Sequence, residues 1–300
     1  MSNFVLSICV ITMNRALQLQ EALLSCLACK LPEKTEFVIV DNASTDNTEQ
    51  IVHETLNDCG YPFYYEKLAE NKGVGGGRNY AFNKCSGQYV YVLDDDAVID
   101  EKNPEFFNQA VDILEKHPEV VTLTTQIYDT AWKKNRVSAD GREIYPYIYL
   151  KEMFCGGSHF LKKSFFGSDP YLGNRYGYEE IIPSMRVADA GYINICVPDL
   201  LVIHKPAVDK WDYTKNENEE ILIMAFANPY AIKKMLYPKV FMPILFLCYT
   251  LRKAKYIKSK ECRKKADALC KEITKEYPIE QKIKFMTVMK QVKEFGISVF

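Results

Sequence analysis

The sequence carries almost no net charge: 38 Lys and Arg stand against 39 Asp and Glu, leaving −1. Without a basic excess there is no general attraction to a phosphate backbone, so no nucleic-acid partner is expected. A bilayer-spanning run is also missing. The apolar stretch Val240 to Leu251 is flanked by lysines and arginines and falls short of the roughly 20 residues that a transmembrane helix needs. No charged, then apolar, then small-residue segment opens the chain, so no secretory leader is expected. Beyond residue 215, where the pattern shifts to helices, internal repeats and low-complexity linkers are absent as well. Nor do the ten cysteines form a short, loop-rich disulfide framework, because they are scattered through segments that read as strands and helices. That pattern predicts reduced thiols and a cytoplasmic protein. Cys26 and Cys29 form the only C-x-x-C, with no second pair to complete a zinc site, and a buried structural pair is expected.

What the sequence does have is apolar content. Three hundred residues at 48% hydrophobic can bury one large core, or a core and an appendage. Charge is segregated despite the overall balance. Between Pro229 and Lys275 thirteen Lys and Arg face three Asp and Glu.

The first 125 residues alternate two periodicities. Strands are predicted over Val5 to Ile11, Glu36 to Val40, Phe63 to Glu66, Tyr89 to Leu93 and Val120 to Thr124. Helices are predicted over Leu17 to Cys29, Asn47 to Leu56, Gly77 to Lys84 and Pro104 to Lys116. Such βαβ alternation implies an α/β fold, with a Rossmann-like, mainly parallel sheet flanked by helices. Ligands in open sheets of this kind sit at the carboxyl ends of the strands.

One of those ends is acidic. The stretch YVYVLDDDAVID, residues 89 to 100, runs from apolar residues straight into Asp94, Asp95 and Asp96. Three adjacent carboxylates need protons, solvent or a cation. In continued strand geometry Asp94 and Asp96 share a side, and oxygen ligands suit magnesium or manganese. The alternative is a solvated acidic turn ahead of the helix near Pro104.

Two other strand ends carry polar residues to the same edge: TMNR, residues 12 to 15, and VDNASTDNT, residues 40 to 48. Asp46 can cap the following helix, and Ser44 and Thr45 can shape the turn, but neither role accounts for Asp41 and Asn42. A fourth stretch, NKGVGGGRNYA from Asn71 to Ala81, places four glycines in five residues before a helix. Glycine permits close backbone approach, and a helix N-terminus favours an anion. It is neither a P-loop nor a dinucleotide fingerprint, since Arg78 stands where the third glycine would be.

In their order and spacing SICVITMNR, FVIVDNASTDNT, NKGVGGGRNYA and YVYVLDDDAVI resemble family 2 glycosyltransferases of the GT-A fold. The resemblance continues through CGGSHFLKKSFF and YGYEEIIPSMRVADAGY and covers roughly residues 4 to 215. It implies a divalent metal ion, Mn2+ or Mg2+, gripping the diphosphate of a nucleotide sugar. Thr12, Asn14, Arg15, Asp41, Asn71, Gly73, Arg78, Asp94 and Asp95 match donor-binding positions, Asp41 at the base edge of a uridine or thymidine. Asp96 matches the metal-binding acid of the D-x-D motif, and His204 in LLVIHKPAV stands where relatives place a metal-binding histidine. A hydrogen-bonded core histidine is the other reading of His204. Glu180 matches the catalytic base, although the usual Glu-Asp is here Glu179-Glu180 and the role lies between the two neighbours.

The activity so implied is inverting transfer of a sugar from a UDP- or dTDP-sugar to an acceptor hydroxyl, on a glycan or lipid-linked acceptor, in surface polysaccharide or glycan assembly. Two other classes fit parts of the sequence. An aspartyl-phosphate phosphohydrolase would use Asp94 as nucleophile and Asp96 as acid, and a non-catalytic nucleotide-sugar-binding protein would bind without turnover. Residues 1 to 215 are read as the GT-A domain and 216 to 300 as a basic helical extension. The extension is either packed on the catalytic domain or makes peripheral membrane contact at the inner face, with Tyr237, Phe241, Phe246 and Tyr249 as its apolar bulk.

Overall fold

The computed structural model describes residues 4–136, 141–174, 177–206 and 219–300. Its strands are β1 (Phe4–Thr12), β2 (Thr35–Asp41), β3 (Phe63–Lys67), β4 (Gly87–Asp94), β5 (Ala97–Ile99), β6 (Val120–Asp129), β7 (Lys134–Asn135), β8 (Glu143–Tyr145), β9 (Ile148–Lys151), β10 (Ser158–Lys162) and β11 (Ile193–His204). The helices are α1 (Ala16–Leu27), α2 (Thr48–Leu56), α3 (Gly73–Lys84), α4 (Phe106–Lys116), α5 (Lys163–Phe166), α6 (Ile181–Asp189), α7 (Glu219–Leu236), α8 (Met242–Tyr256), α9 (Lys260–Glu276) and α10 (Phe285–Phe295).

Both faces of the first strands are apolar because helices cover both. Leu6, Ile8 and Val10 of β1, Phe37 and Ile39 of β2, and Tyr89, Tyr91 and Leu93 of β4 pack with α1, α2 and α4. The alternate residues Cys9, Val38, Val40, Val90 and Val92 pack on the other side with α3. Period-two alternation thus supplies two cores rather than one wet face. α1 buries Ala16, Leu19, Ala22, Leu23 and Cys26, the three-and-four spacing expected of an amphipathic helix. All ten cysteines are free, and burial pushes the Cys26 and Cys29 thiols up, which agrees with a structural pair.

The sheet runs β3-β2-β1-β4-β10-β6-β11-β9-β8, with β5 on β11 and β7 on β6. β1, β2, β3 and β4 are mutually parallel, with Thr12 opposite Asp41 and Ile11 opposite Asp94. β10 is antiparallel to both β4 and β6, so β6 points the same way as β4, and β11 runs parallel to β6. Asp94, Asp129 and His204 therefore finish three strands at one edge of the sheet. β5 turns back against β11 and sets Ala97 opposite His204, which brings Asp96 beside the histidine.

One departure from the sequence reading concerns local geometry. The glycine stretch is not a loop before a helix: α3 already starts at Gly73, whose φ is 73°. A Cβ on Gly75 would lie 1.8 Å from the Leu172 carbonyl oxygen, so the glycine is there to let a neighbouring backbone cross the helix closely. The C-terminal region packs as one of the two readings of the extension expects. The boundary expected at residues 215 and 216 lies outside the described residues, but from α7 onward the helices share a core with Leu172, Ile181 and Met185. Asp189, ending α6, accepts from the Lys284 N–H at 2.7 Å and the Thr287 hydroxyl at 2.6 Å at the start of α10. Tyr237, Phe241 and Tyr249 are buried in that core, and of the aromatics expected as interfacial bulk only Phe246 is exposed, at 58%. No helix among the described residues is long and apolar enough to cross a membrane.

Candidate active site

The three aspartates at the end of β4 are held by four different side chains. Asp94 accepts from Arg78 Nη2 at 2.7 Å. Asp95 accepts from Thr12 Oγ1 and from Arg15 Nη1, each at 2.7 Å. Asp96 faces Arg15 Nη1 at 2.8 Å and His204 Nε2 at 3.0 Å. Their acidities are split by these surroundings. Burial pushes Asp95 up to about 6 against the opposing pull of Arg15 and Thr12, with the charge of Asp96 adding to the rise. Burial also works against ionised Asp96, but the hydrogen bond and charge of His204, then Arg15 and Arg136, hold it below the ordinary carboxylate value.

Ligand atoms of Asp94, Asp96 and His204 all lie within 4.8 Å of one another. His204 stands between two acids, with Nδ1 3.2 Å from Asp129 Oδ2. Asp129 is fully buried and stays ionised: burial opposes this, but the Trp132 N–H and Arg136 outweigh it. A neutral imidazole has one N–H. A divalent cation bound between Nε2 and the Asp96 carboxylate would take the place of the proton through which the two otherwise bond, leaving Nδ1–H on Asp129. The oxygen and imidazole set therefore fits magnesium or manganese.

Arg78 is the hub between this cluster and a second pair of acids. It is 4% exposed, and its guanidinium donates to Asp94, to Glu179 Oε1 at 2.6 Å and to the Gly156 carbonyl oxygen at 2.9 Å. Glu180 Oε1 stands 3.8 Å from the same guanidinium. The two glutamates are consequently unlike. Glu179 is bonded through one oxygen, and its Oε2 is buried with no hydrogen-bond partner among the described residues. Glu180 has only the longer approach to Arg78 among side chains, and a backbone N–H of its own residue as a further partner. Burial and the charge of Glu179 push it up to about 8, partly offset by Arg78. Two glycines of the CGG stretch make the room: a Cβ on Gly156 would fall 1.9 Å from Glu180 Oε1, and one on Gly157 would fall 3.1 Å from Asp94 Oδ2.

These groups open into one cavity of about 820 Å³, a size suited to a nucleotide-sized ligand. Thr12, Arg15, Asn71, Gly73, Arg78, Asp94, Asp95, Asp96, Glu180 and His204 line it. Asn14 and Asp41 do not. Asn14 Oδ1 accepts from the Thr45 N–H at 2.7 Å, and the Asp41 carboxylate accepts from the Ser44 N–H at 2.6 Å and the Tyr65 hydroxyl at 2.9 Å. Both hold the turns behind the wall, and Asn42 is the β2-end residue on it. Asn42 accepts from the Lys72 N–H and donates to the Gly73 carbonyl oxygen, each at 3.0 Å, while Asn71 Oδ1 accepts from the Gly73 N–H at 2.7 Å.

Sequence reasoning passed over Asp129, Trp132, Arg136 and Gly156. Arg136 bonds Asp129 at 2.6 Å, lies 5.0 Å over the Trp132 ring and lines the cavity beside the metal-type cluster. The strand expected to end at Thr124 in fact runs to Asp129, so this acid had no visible strand end to mark it.

A family model described as Glycosyl transferase family 2 matches residues 7–168. A poly-beta-1,6-N-acetyl-D-glucosamine synthase of Staphylococcus epidermidis is 31% identical over 111 residues, 37% of this chain and 26% of that protein. The match thus spans about a quarter of that curated relative. Among solved structures, S. aureus TarS 1-349 in complex with UDP-GlcNAc aligns with 99% of this chain and 89% of its own, at a TM-score of 0.61 and 15% identity. The mannosyltransferase PcManGT from Pyrobaculum calidifontis, in complex with GDP-Man and Mn2+, aligns with 98% and 80%, at 0.59 and 19%. At these identities the likeness shows the fold, GT-A.

Proposed function

The chain belongs to glycosyl transferase family 2, and from that premise we propose that it is a metal-dependent, inverting glycosyltransferase with Glu180 as its base. The observation that carries this reading is the union, in one cavity, of a two-carboxylate, one-imidazole cluster with a glutamate free of close ion pairs, Arg78 joining the two. Asp94, Asp96 and His204 would hold the cation, Mn2+ or Mg2+, with Asp129 fixing the histidine tautomer. When bound, that ion supplies charge neutralisation at the diphosphate of the donor.

The remaining steps belong to side chains of the chain itself. Arg15 and Arg136 flank the cluster and provide positive charge for phosphate oxygens, and Asn71, Gly73 and Thr12 line the adjoining wall. Glu180 accepts a proton from the acceptor hydroxyl as that oxygen attacks the anomeric carbon, and a value near 8 suits the task because its conjugate acid holds the proton well. Arg78 holds Glu179 in place by a direct bond, whereas Glu180, at the longer distance, is the carboxylate left to face the acceptor. One base and a departing diphosphate describe a single displacement with inversion.

The donor is proposed to be a UDP- or dTDP-sugar and the acceptor a glycan or lipid-linked glycan of a surface polysaccharide, at the inner face of the membrane. The similarity to a synthase of a β-1,6-linked N-acetylglucosamine polymer and to TarS supports that assignment. We place catalysis in residues 1 to 215, with 216 to 300 as the helical extension. The test is a panel of UDP-, dTDP- and GDP-sugars incubated with the full chain and Mn2+. Metal-dependent consumption of a UDP- or dTDP-sugar is expected, with product of inverted anomeric configuration. Consumption of only a GDP-sugar, or retention at the anomeric centre, would overturn the donor or the mechanism respectively.

A further inference from the structure

Glu179 and Glu180 follow directly on a left-handed turn. Gly177 holds a φ of 89° and Tyr178 a φ of 66°. Glycine adopts that region freely, whereas a bulky side chain persists there only where its surroundings hold it. The Ile181 N–H then donates to the Tyr178 carbonyl oxygen at 3.2 Å, and α6 begins. Both glutamates lie inside this bend, so its shape decides where each one points. Glu179 reaches Arg78 at 2.6 Å, and Glu180 enters the space that Gly156 leaves open.

The turn is held by two amides that meet on one carbonyl. The Gly177 oxygen accepts from Asn174 Nδ2 at 2.9 Å and from Asn228 Nδ2 at 3.3 Å. Asn174 is tied to α3, since its backbone oxygen accepts from the Gly75 N–H at 3.2 Å, three residues before Arg78. Asn228 comes from α7. It is 4% exposed and is the one polar residue among those that α7 buries, with Ala225, Phe226, Ala227 and Ala231 around it in sequence. A buried amide on an apolar helix face is costly unless it is bonded, and an apolar residue there would leave Gly177 with a single donor. Tyr178 packs against the same C-terminal core. With Phe226 and Pro229, which flank Asn228, it lines a cavity of about 350 Å³. Helix α7 thus grips the turn at two consecutive residues, by a hydrogen bond at Gly177 and by apolar packing at Tyr178.

We propose that Asn228 is a positioning residue for Glu180: its bond to the Gly177 carbonyl holds the left-handed turn that aims the glutamate at the acceptor hydroxyl. The C-terminal helices then contribute to the reaction through one specific amide as well as through packing. This rests on the glycosyltransferase reading, in which Glu180 is the base.

The test is a double-substitution cycle on the full chain, comparing the parent, N228L, E180Q and the double variant. Leucine is close to asparagine in size and lacks the N–H. Nucleotide release is measured with Mn2+ and the donor that the panel identifies, water taking the place of the acceptor. Binding of UDP with Mn2+ reports on the donor end of the cleft and should be the same in all four. N228L should release nucleotide about tenfold to a hundredfold more slowly than the parent, the range that a displacement of about 1 Å costs. In the E180Q background the same substitution should slow release no further, because the group through which it acts is already gone. A contact that only supports the fold would slow release by the same factor in both backgrounds, which would overturn the proposal. Parent rates in both N228L and N228A would overturn it too. N228A removes the same N–H without bulk and is read in the same way where N228L does not fold; if neither folds, the amide is a folding contact and the proposal fails. If E180Q matches the parent while N228L is slow, it is the reading of Glu180 as the base that fails.

Discussion

At the scale of single residues, the site is an exercise in distributing negative charge. Six carboxylates, of Asp94, Asp95, Asp96, Asp129, Glu179 and Glu180, are offset by Arg15, Arg78, Arg136 and the imidazole of His204. Asp96→Asn should remain folded, since an amide can still meet Arg15, but lose most of the manganese-dependent component of UDP binding. Equal affinity with and without Mn2+ in parent and variant would remove Asp96 from the metal site. Arg78→Met is a different kind of change. It leaves Asp94 and Glu179 without their buried cation, and breaking such a pair destabilises by about 3–5 kcal/mol. Chemical denaturation should show that loss; a variant as stable as the parent would mean that the two acids find other partners. The acids were legible because they are consecutive and follow an apolar run. Asp129 was not, since a lone acid after QIY carries no signal until the fold sets β11 beside β6.

At the scale of elements, the parallel strands and their helices could be read from periodicity, because each buries two apolar faces and is bounded by polar turns. β10 could not: SHFLK is short, follows two glycines and is inserted antiparallel between β4 and β6 by contacts distant in sequence. The same limit applies to the glycine segment, whose Gly75 answers to Leu172, almost a hundred residues away. α8 shows how burial divides one apolar run. Leu245, Tyr249 and Lys253 face inward at four-residue spacing, whereas Leu247 and Leu251 are 55% and 61% exposed. α10 adds exposed Phe285, Met286 and Met289, and the Phe285 ring stacks on Phe241 just ahead of α8. An apolar surface among lysines suits the headgroup boundary of an anionic membrane. The parent should float with anionic vesicles at low salt, and the double substitution L247E/L251E should abolish flotation without lowering the melting temperature. Parent protein that ignores the vesicles, or a variant that floats equally well, would leave this face without a membrane role.

At the scale of the whole molecule, the C-terminal helices pack on the segment that carries Glu180. Their core includes Ile181 and Met185 of α6, the helix that follows Glu180 directly, so the placement of the proposed base depends on packing that sequence periodicity assigns to an appendage. The raised pKa of Glu180 has two consequences at this scale. Folding raises it from 4.5 to about 8, so the folded chain keeps a proton that the unfolded chain releases, and stability falls as pH rises between those values. Activity moves the opposite way, because only the deprotonated carboxylate can accept a proton.

The central claim is that Glu180 removes the acceptor proton beside a metal-held diphosphate. It is tested most directly by the rate of sugar transfer, measured against pH with saturating Mn2+ and the donor identified by the panel, in the parent and in Glu180→Gln. The parent rate should climb with pH through about 8 and level off above it, while the variant binds the donor as tightly and transfers at least ~10²-fold more slowly, the lower end of the general-base range, with no such climb. A variant that turns over near the parent rate, or that keeps the same pH dependence, would contradict the account and move the base to another group.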